Sequence, residues 1–202
     1  MDEKISKALD KVQKEMEKID KNKNNVYFFI FDSKGTPNSE LEYIYNLAYL
    51  AKNKGYKVSM LYQLEKKDTF VGVKDWLGEE YSNIPHYDIG KGETELSVSD
   101  ILFIPEVYAG VMNQTKKIPC KRIAIMHNYD YLLAQTPFSA QWGDFGIMDA
   151  VCNSEVSASQ LKSVFPYERV TVINPFINKI FGTTKVPKKL IINLIVENQD
   201  DI

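Results

Sequence analysis

The sequence holds only two cysteines, Cys120 and Cys152, and two histidines, His86 and His127. The cysteines form no CxxC pair, which excludes a cysteine zinc clamp and a dithiol redox couple, and both read as inert core thiols. Two isolated histidines are too few for a histidine-based metal site, so no metal is expected. No GxGxxG follows the first apolar run, and there is no Walker loop, HExxH, GxSxG or DxD. Their absence argues against a dehydrogenase, NTPase, metalloprotease or serine hydrolase, and no cofactor is expected. Net charge is also scarce: a formal value of -2 offers no global field to attract nucleic acid. No apolar run approaches the roughly 20 residues of a membrane span, and the N-terminus is charged from Asp2 onward. A cytoplasmic protein is expected.

What is present is organised in two styles. Residues 1–24 contain no Gly, Pro or aromatic residue and place Ile5, Leu9, Val12, Met16 and Ile19 at alternating steps of four and three. This predicts a helix with a narrow apolar stripe of heptad spacing, either cladding on the domain behind it or a partner helix that makes an oligomer. From Val26 the pattern becomes short continuous apolar runs at 26–31, 57–62, 101–104, 122–126, 150–153 and 170–173. Such runs suit strands buried on both faces. Between the first two, Leu41, Ile44, Leu47, Ala48 and Ala51 mark one face of a helix, Ser39 and Glu42 have capping-box spacing, and Gly55 is placed to end it. Strand, helix, strand repeated in this way predicts a doubly wound, Rossmann-like parallel α/β sheet with an extra N-terminal helix. The stretch 63–99 is irregular, with "IPHYDIG" as a candidate additional strand.

In such sheets ligands sit at the carboxyl ends of the strands, so polar residues there are the site candidates. After the first strand come Asp32, Ser33, Lys34, Gly35 and Thr36, a loop suited to an anion or a hydroxyl-rich group at a helix N-terminus. After the run at 101–104 come Glu106 and Tyr108, after 122–126 come His127 and Asn128, and after 150–153 comes Ser154. Each has a plainer role available: Ser154 as an N-cap, Gly35 as a turn residue, Glu106 as a solvated first-turn acid, and His127 as a structural histidine.

The segment "SKGTPNSELEYIYNLAYLAKNKGYKVSMLY" resembles the opening loop, helix and second strand of GT-B glycosyltransferases, especially the retaining, nucleotide-sugar-dependent group similar to glycogen synthase. "MDAVCNSEVSASQLKSVFPYERVTVINPFINKIF" resembles the end of that family's N-terminal domain, with Asn174, Pro175, Phe176, Ile177, Asn178 and Phe181 where members carry a "PNG(V/I)D…F" pattern. The likeness covers roughly residues 26–181. It implies a GT-B N-terminal, acceptor-side domain over 25–181, with 182–202 as the linker and first strand of a C-terminal donor domain. It also implies that His127 lies in the cleft as the catalytic histidine against the donor sugar. Lys34, Gly35, Thr36, Glu106, Tyr108, Asn128 and Ser154 are the expected substrate contacts.

The implied activity is transfer of a hexosyl group from a nucleotide-sugar to a hydroxyl acceptor such as a glycan. The nucleotide-binding half would come from a longer chain or from a second chain, so these 202 residues alone are expected to be inactive. The alternative expectation is a non-catalytic, transferase-like assembly module that docks through its N-terminal helix.

Overall fold

A computed structural model describes residues 25–64, 68–92, 94–135, 140–165 and 169–175. The expected N-terminal helix (1–24) and the expected linker and strand (182–202) lie outside these residues. The described chain runs β1 (Asn25–Phe29), α1 (Ser39–Asn53), β2 (Lys57–Tyr62), the one-turn helices α2 (Lys74–Leu77) and α3 (Glu79–Ser82), and β3 (His86–Asp88). It continues through β4 (Ile101–Pro105), α4 (Ala109–Gln114), β5 (Lys121–Met126), α5 (Tyr129–Gln135), β6 (Asp149–Cys152), α6 (Glu155–Val164) and β7 (Arg169–Val172).

All seven strands pair in parallel in the order β3-β2-β1-β4-β5-β6-β7. The α/β, Rossmann-like expectation therefore holds, and each apolar run expected as a strand lies within a residue or two of one. "IPHYDIG" supplies β3, the short edge strand. The order reverses between β1 and β4, and the carboxyl ends of these neighbours diverge there into loops leading to opposite faces, leaving a crevice.

Alternation along the strands divides the core into two layers. Val26, Phe28 and Ile30 face α1, whose Leu41, Ile44, Leu47 and Ala48 are all buried. Tyr27 and Phe29 face the other layer, where Met112 of α4, Leu132 of α5, and Ala158 and Leu161 of α6 pack with the fully buried Trp142. Right-handed crossovers explain the division: connections toward β3 cross one face, and connections toward β7 cross the other.

The helix termini are set locally. Asn38, not Ser39, caps α1, its side-chain oxygen accepting the Leu41 N–H at 2.9 Å. The cap thus falls one residue before the expected Ser39–Glu42 capping box, and no such box forms, because Asn38 holds the extended backbone that a cap requires and Leu41 stands at the third helical position. Gly55 follows the helix with φ of 91°, a conformation that favours glycine. At the far end of the sheet, the hydroxyl of Tyr43 in α1 donates to the Ile173 carbonyl at 2.7 Å, tying the first helix to the segment after the last strand.

Candidate functional site

Glu106 opens the turn that follows β4. It is fully buried. Its Oε1 accepts the backbone N–H groups of His127 at 3.0 Å and Asn128 at 2.7 Å, so the exit of β4 holds the exit of β5. From the other side, the Asn153 side-chain amide donates to the His127 carbonyl at 3.0 Å. Asn153 is itself held by the Ser157 hydroxyl at 2.7 Å. Ser154 caps α6 by accepting the Ser157 N–H at 3.1 Å, the plainer role open to it from the sequence. The carboxyl ends of three adjacent strands are thereby fastened into one polar rim containing Glu106, His127, Asn128 and Ser154. The His127 ring lies 6.1 Å from the ring of Tyr43 on α1.

A second carboxylate enters from above. Glu40, in the first turn of α1, is only 5% exposed and lies close enough to Glu106 for their charges to repel. No feature of the sequence reading pointed to it. Among the described residues, four buried side-chain polar atoms lack a hydrogen-bond partner, and three of them are Ser33 Oγ, Glu40 Oε1 and Glu106 Oε2. All three belong to elements around the β1–β4 crevice. Each unmet polar group costs about 1–3 kcal/mol, and such deficits concentrate where a ligand, water or proton completes the arrangement.

Burial dominates the acid–base character of the site. It pushes Glu106 up to about 7, against the opposing pull of the two N–H donors. Burial and then repulsion by Glu106 push Glu40 to about 8. Physically, Glu106 gives up its proton first because the N–H groups stabilise its anion, and Glu40 holds its proton longer because it faces that anion. Burial, reinforced by Glu106, raises the Cys152 thiol to about 12, leaving it inert at neutral pH. The phenols of Tyr43 and Tyr108 are likewise pushed upward, chiefly by burial.

Beside this rim, an open cleft of about 810 Å³ lies over the ends of β1, β2 and β4. Phe31, Asp32, Lys34, Gln63, Tyr108 and Gln114 are among its walls. Lys34 and Gly35 both take positive φ, 53° and 81°, and Thr36 is exposed beyond them. The loop is tied to a neighbouring segment: the Asp32 carboxylate accepts the N–H groups of Lys34, Val71 and Gly72 at 3.1, 3.0 and 3.3 Å. Lys34 leans toward Asp68 at 3.7 Å. With the helix terminus capped by Asn38 and Glu40 holding its proton to about pH 8, this end of the sheet presents largely uncharged polar groups. Hydroxyl groups suit it far better than phosphate does.

Lys34 and Tyr108 thus share the cleft, Glu106, His127, Asn128 and Ser154 share the rim, and Gly35 and Thr36 shape the loop beside them. The other histidine is part of the core: His86 Nε2 pairs with the Tyr45 hydroxyl at 2.7 Å, its ring packs on Phe70, and burial lowers its pKa. Among the described residues, no group of three or more His, Cys, Asp or Glu could hold a metal ion, and no helix is long and apolar enough to cross a membrane. No protein-family model matches the chain, and no curated protein matches it.

Proposed function

We propose that this chain is the acceptor-side domain of a GT-B glycosyltransferase of hexosyltransferase type. It would present a hydroxyl of a glycan or other acceptor to a sugar carried on a nucleotide. The observation that carries this reading is the polar crevice at the carboxyl ends of β1, β4, β5 and β6, with unpaired oxygens on Glu40 and Glu106. Such a site fits sugar hydroxyls, while Lys34, the one basic residue lining the cleft among the described residues, already faces Asp68 and offers a diphosphate little. The diphosphate therefore belongs on a partner domain or a second chain, where cationic or backbone donors stabilise the leaving group.

In this mechanism the domain contributes positioning. Glu106 and Asn153 fix the His127 backbone from both sides, so the main chain that carries the imidazole is set by the fold. Tyr108 and Phe31 offer aromatic surface in the cleft for a sugar ring. No metal or organic cofactor is assigned a role.

Amide-resolved NMR titration of the isolated chain with a panel of methyl hexosides, and separately with pyrophosphate, tests the proposal. At least one hexoside is expected to shift the amides of Asp32–Thr36, Tyr108, His127 and Asn128, with pyrophosphate leaving them in place. His127→Ala should weaken that hexoside about tenfold or more at an unchanged melting temperature. Pyrophosphate binding at these amides with no hexoside response would overturn the reading. Turnover of a nucleotide-sugar by the isolated chain would also overturn it.

A further inference from the structure

On the β1–β2–β3 half of the sheet, α1 to α3 cover one face. The helices of the opposite layer, α4, α5 and α6, follow β4, β5 and β6 and stand over the other half. Over β1 and β2 that opposite face carries Tyr27, Phe29 and Leu61, with Tyr87 beside them on β3. Between the loop 89–96 and α4 it opens into an apolar cavity of about 480 Å³, walled by Phe29, Leu61, Leu96, Leu102, Val111 and Ile118. A second cavity, of about 450 Å³, adjoins it at Thr94 and reaches Asn25, Tyr27 and Tyr87. Together they mark a groove whose two parts share Thr94 as a wall, one toward the amino ends of β1 and β2 and one toward their carboxyl ends.

We infer that residues 1–24 of the same chain occupy this groove, with Ile5, Leu9, Val12, Met16 and Ile19 facing the sheet and the segment antiparallel to β1. Three observations select this occupant. The segment joins the described chain at Asn25, which itself lines the groove. Asn25 is fixed by Asp100, which accepts its backbone N–H at 3.2 Å and its side-chain amide at 2.9 Å. The lengths also agree. As a helix, the stripe from Ile5 to Ile19 spans about 21 Å, and a six-residue strand such as β2 spans about 20 Å. Finally, five residues separate Ile19 from Asn25. A reversal there brings the chain into the amino end of β1 with the stripe already over the face opposite α1.

The test uses the full chain, with a photoreactive p-benzoylphenylalanine in place of Leu96 and an equal mixture of ¹⁴N- and ¹⁵N-labelled protein. Irradiation and peptide mass spectrometry should give links from position 96 to residues within 1–24 of the same isotopic chain. Links between chains would assign the groove to a second copy, and links to 176–202 would assign it to the other terminus. Either overturns the inference, as does a lack of any link to 1–24. Independently, the double variant Leu9→Asp/Met16→Asp should melt several degrees lower, bind the apolar dye ANS, and keep the parental mass by light scattering. A variant with parental melting and no dye response overturns the inference as well.

Discussion

Replacing Glu106 by glutamine removes a charge while keeping the shape and one oxygen to receive the N–H groups of His127 and Asn128. In the folded chain the Glu106 carboxyl is raised from 4.5 to about 7. At about 1.36 kcal/mol per unit, this corresponds to roughly 3 kcal/mol. Because the folded value is the higher one, the contribution to stability is complete below the unfolded value. It is lost as pH rises through 7. Glu40, raised to about 8 by burial and by Glu106, extends the same loss to higher pH, and the two protons leave in steps that belong to the pair. Wild-type stability should therefore fall from pH 5 to pH 8.5. Glu106→Gln should flatten the slope and be more stable than wild type at pH 8 by about 1–2 kcal/mol, after about 1 kcal/mol for the amide group left without an acceptor. The pKa of His86 is lowered by burial and gives the opposite slope below its ordinary value, but it is common to both proteins and cancels in the difference. Urea denaturation followed by tryptophan fluorescence, with the fully buried Trp142 as reporter, supplies both curves. A Glu106→Gln profile as steep as wild type, or a variant less stable at pH 8, would refute the reasoning.

Ser154→Ala removes the cap of α6 and should cost about 1 kcal/mol in the same denaturation assay. Gly146→Ala should cost more than Gly92→Ala, although both positions have positive φ, 77° and 68°. A β-carbon at 146 would lie 2.7 Å from Nη2 of the buried Arg122, whereas one at 92 meets nothing within 4 Å. The expected losses by thermal melting are about 1 kcal/mol for Gly92→Ala from backbone strain alone, and at least twice that for Gly146→Ala.

Continuous apolar runs made the strands legible, since a residue buried on both faces cannot be polar without a partner. Their spatial order was less so, because nothing local to "ILFI" says that it returns to the far side of β1. The site was legible as a set of strand ends, and Glu106, His127 and Asn128 do converge. Glu40 was missed for a physical reason. The apolar spacing marks one buried face built on Leu41, Ile44 and Leu47, yet α1 also buries Glu40, Tyr43, Tyr45 and Asn46. The sign that could have found it is the apolar and aromatic crowding of "ELEYIYNLAYLA" on every side of the helix, which leaves little room for a solvated first-turn acid. Within the irregular stretch 63–99 "IPHYDIG" marks β3, but the bounds of the one-turn helices are not legible, because elements of three or four residues carry too little periodicity to detect.

The bond from Tyr43 to the Ile173 carbonyl spans 130 positions of sequence. It makes the point where the chain departs from the sheet a mechanical attachment to the helix that carries Glu40. A displacement at Ile173 loads β6, through the Ile173 N–H to the Cys152 carbonyl at 2.9 Å, and also α1, one helical turn from Glu40. Movement at Ile173 is thereby shared between the sheet and the helix that carries Glu40.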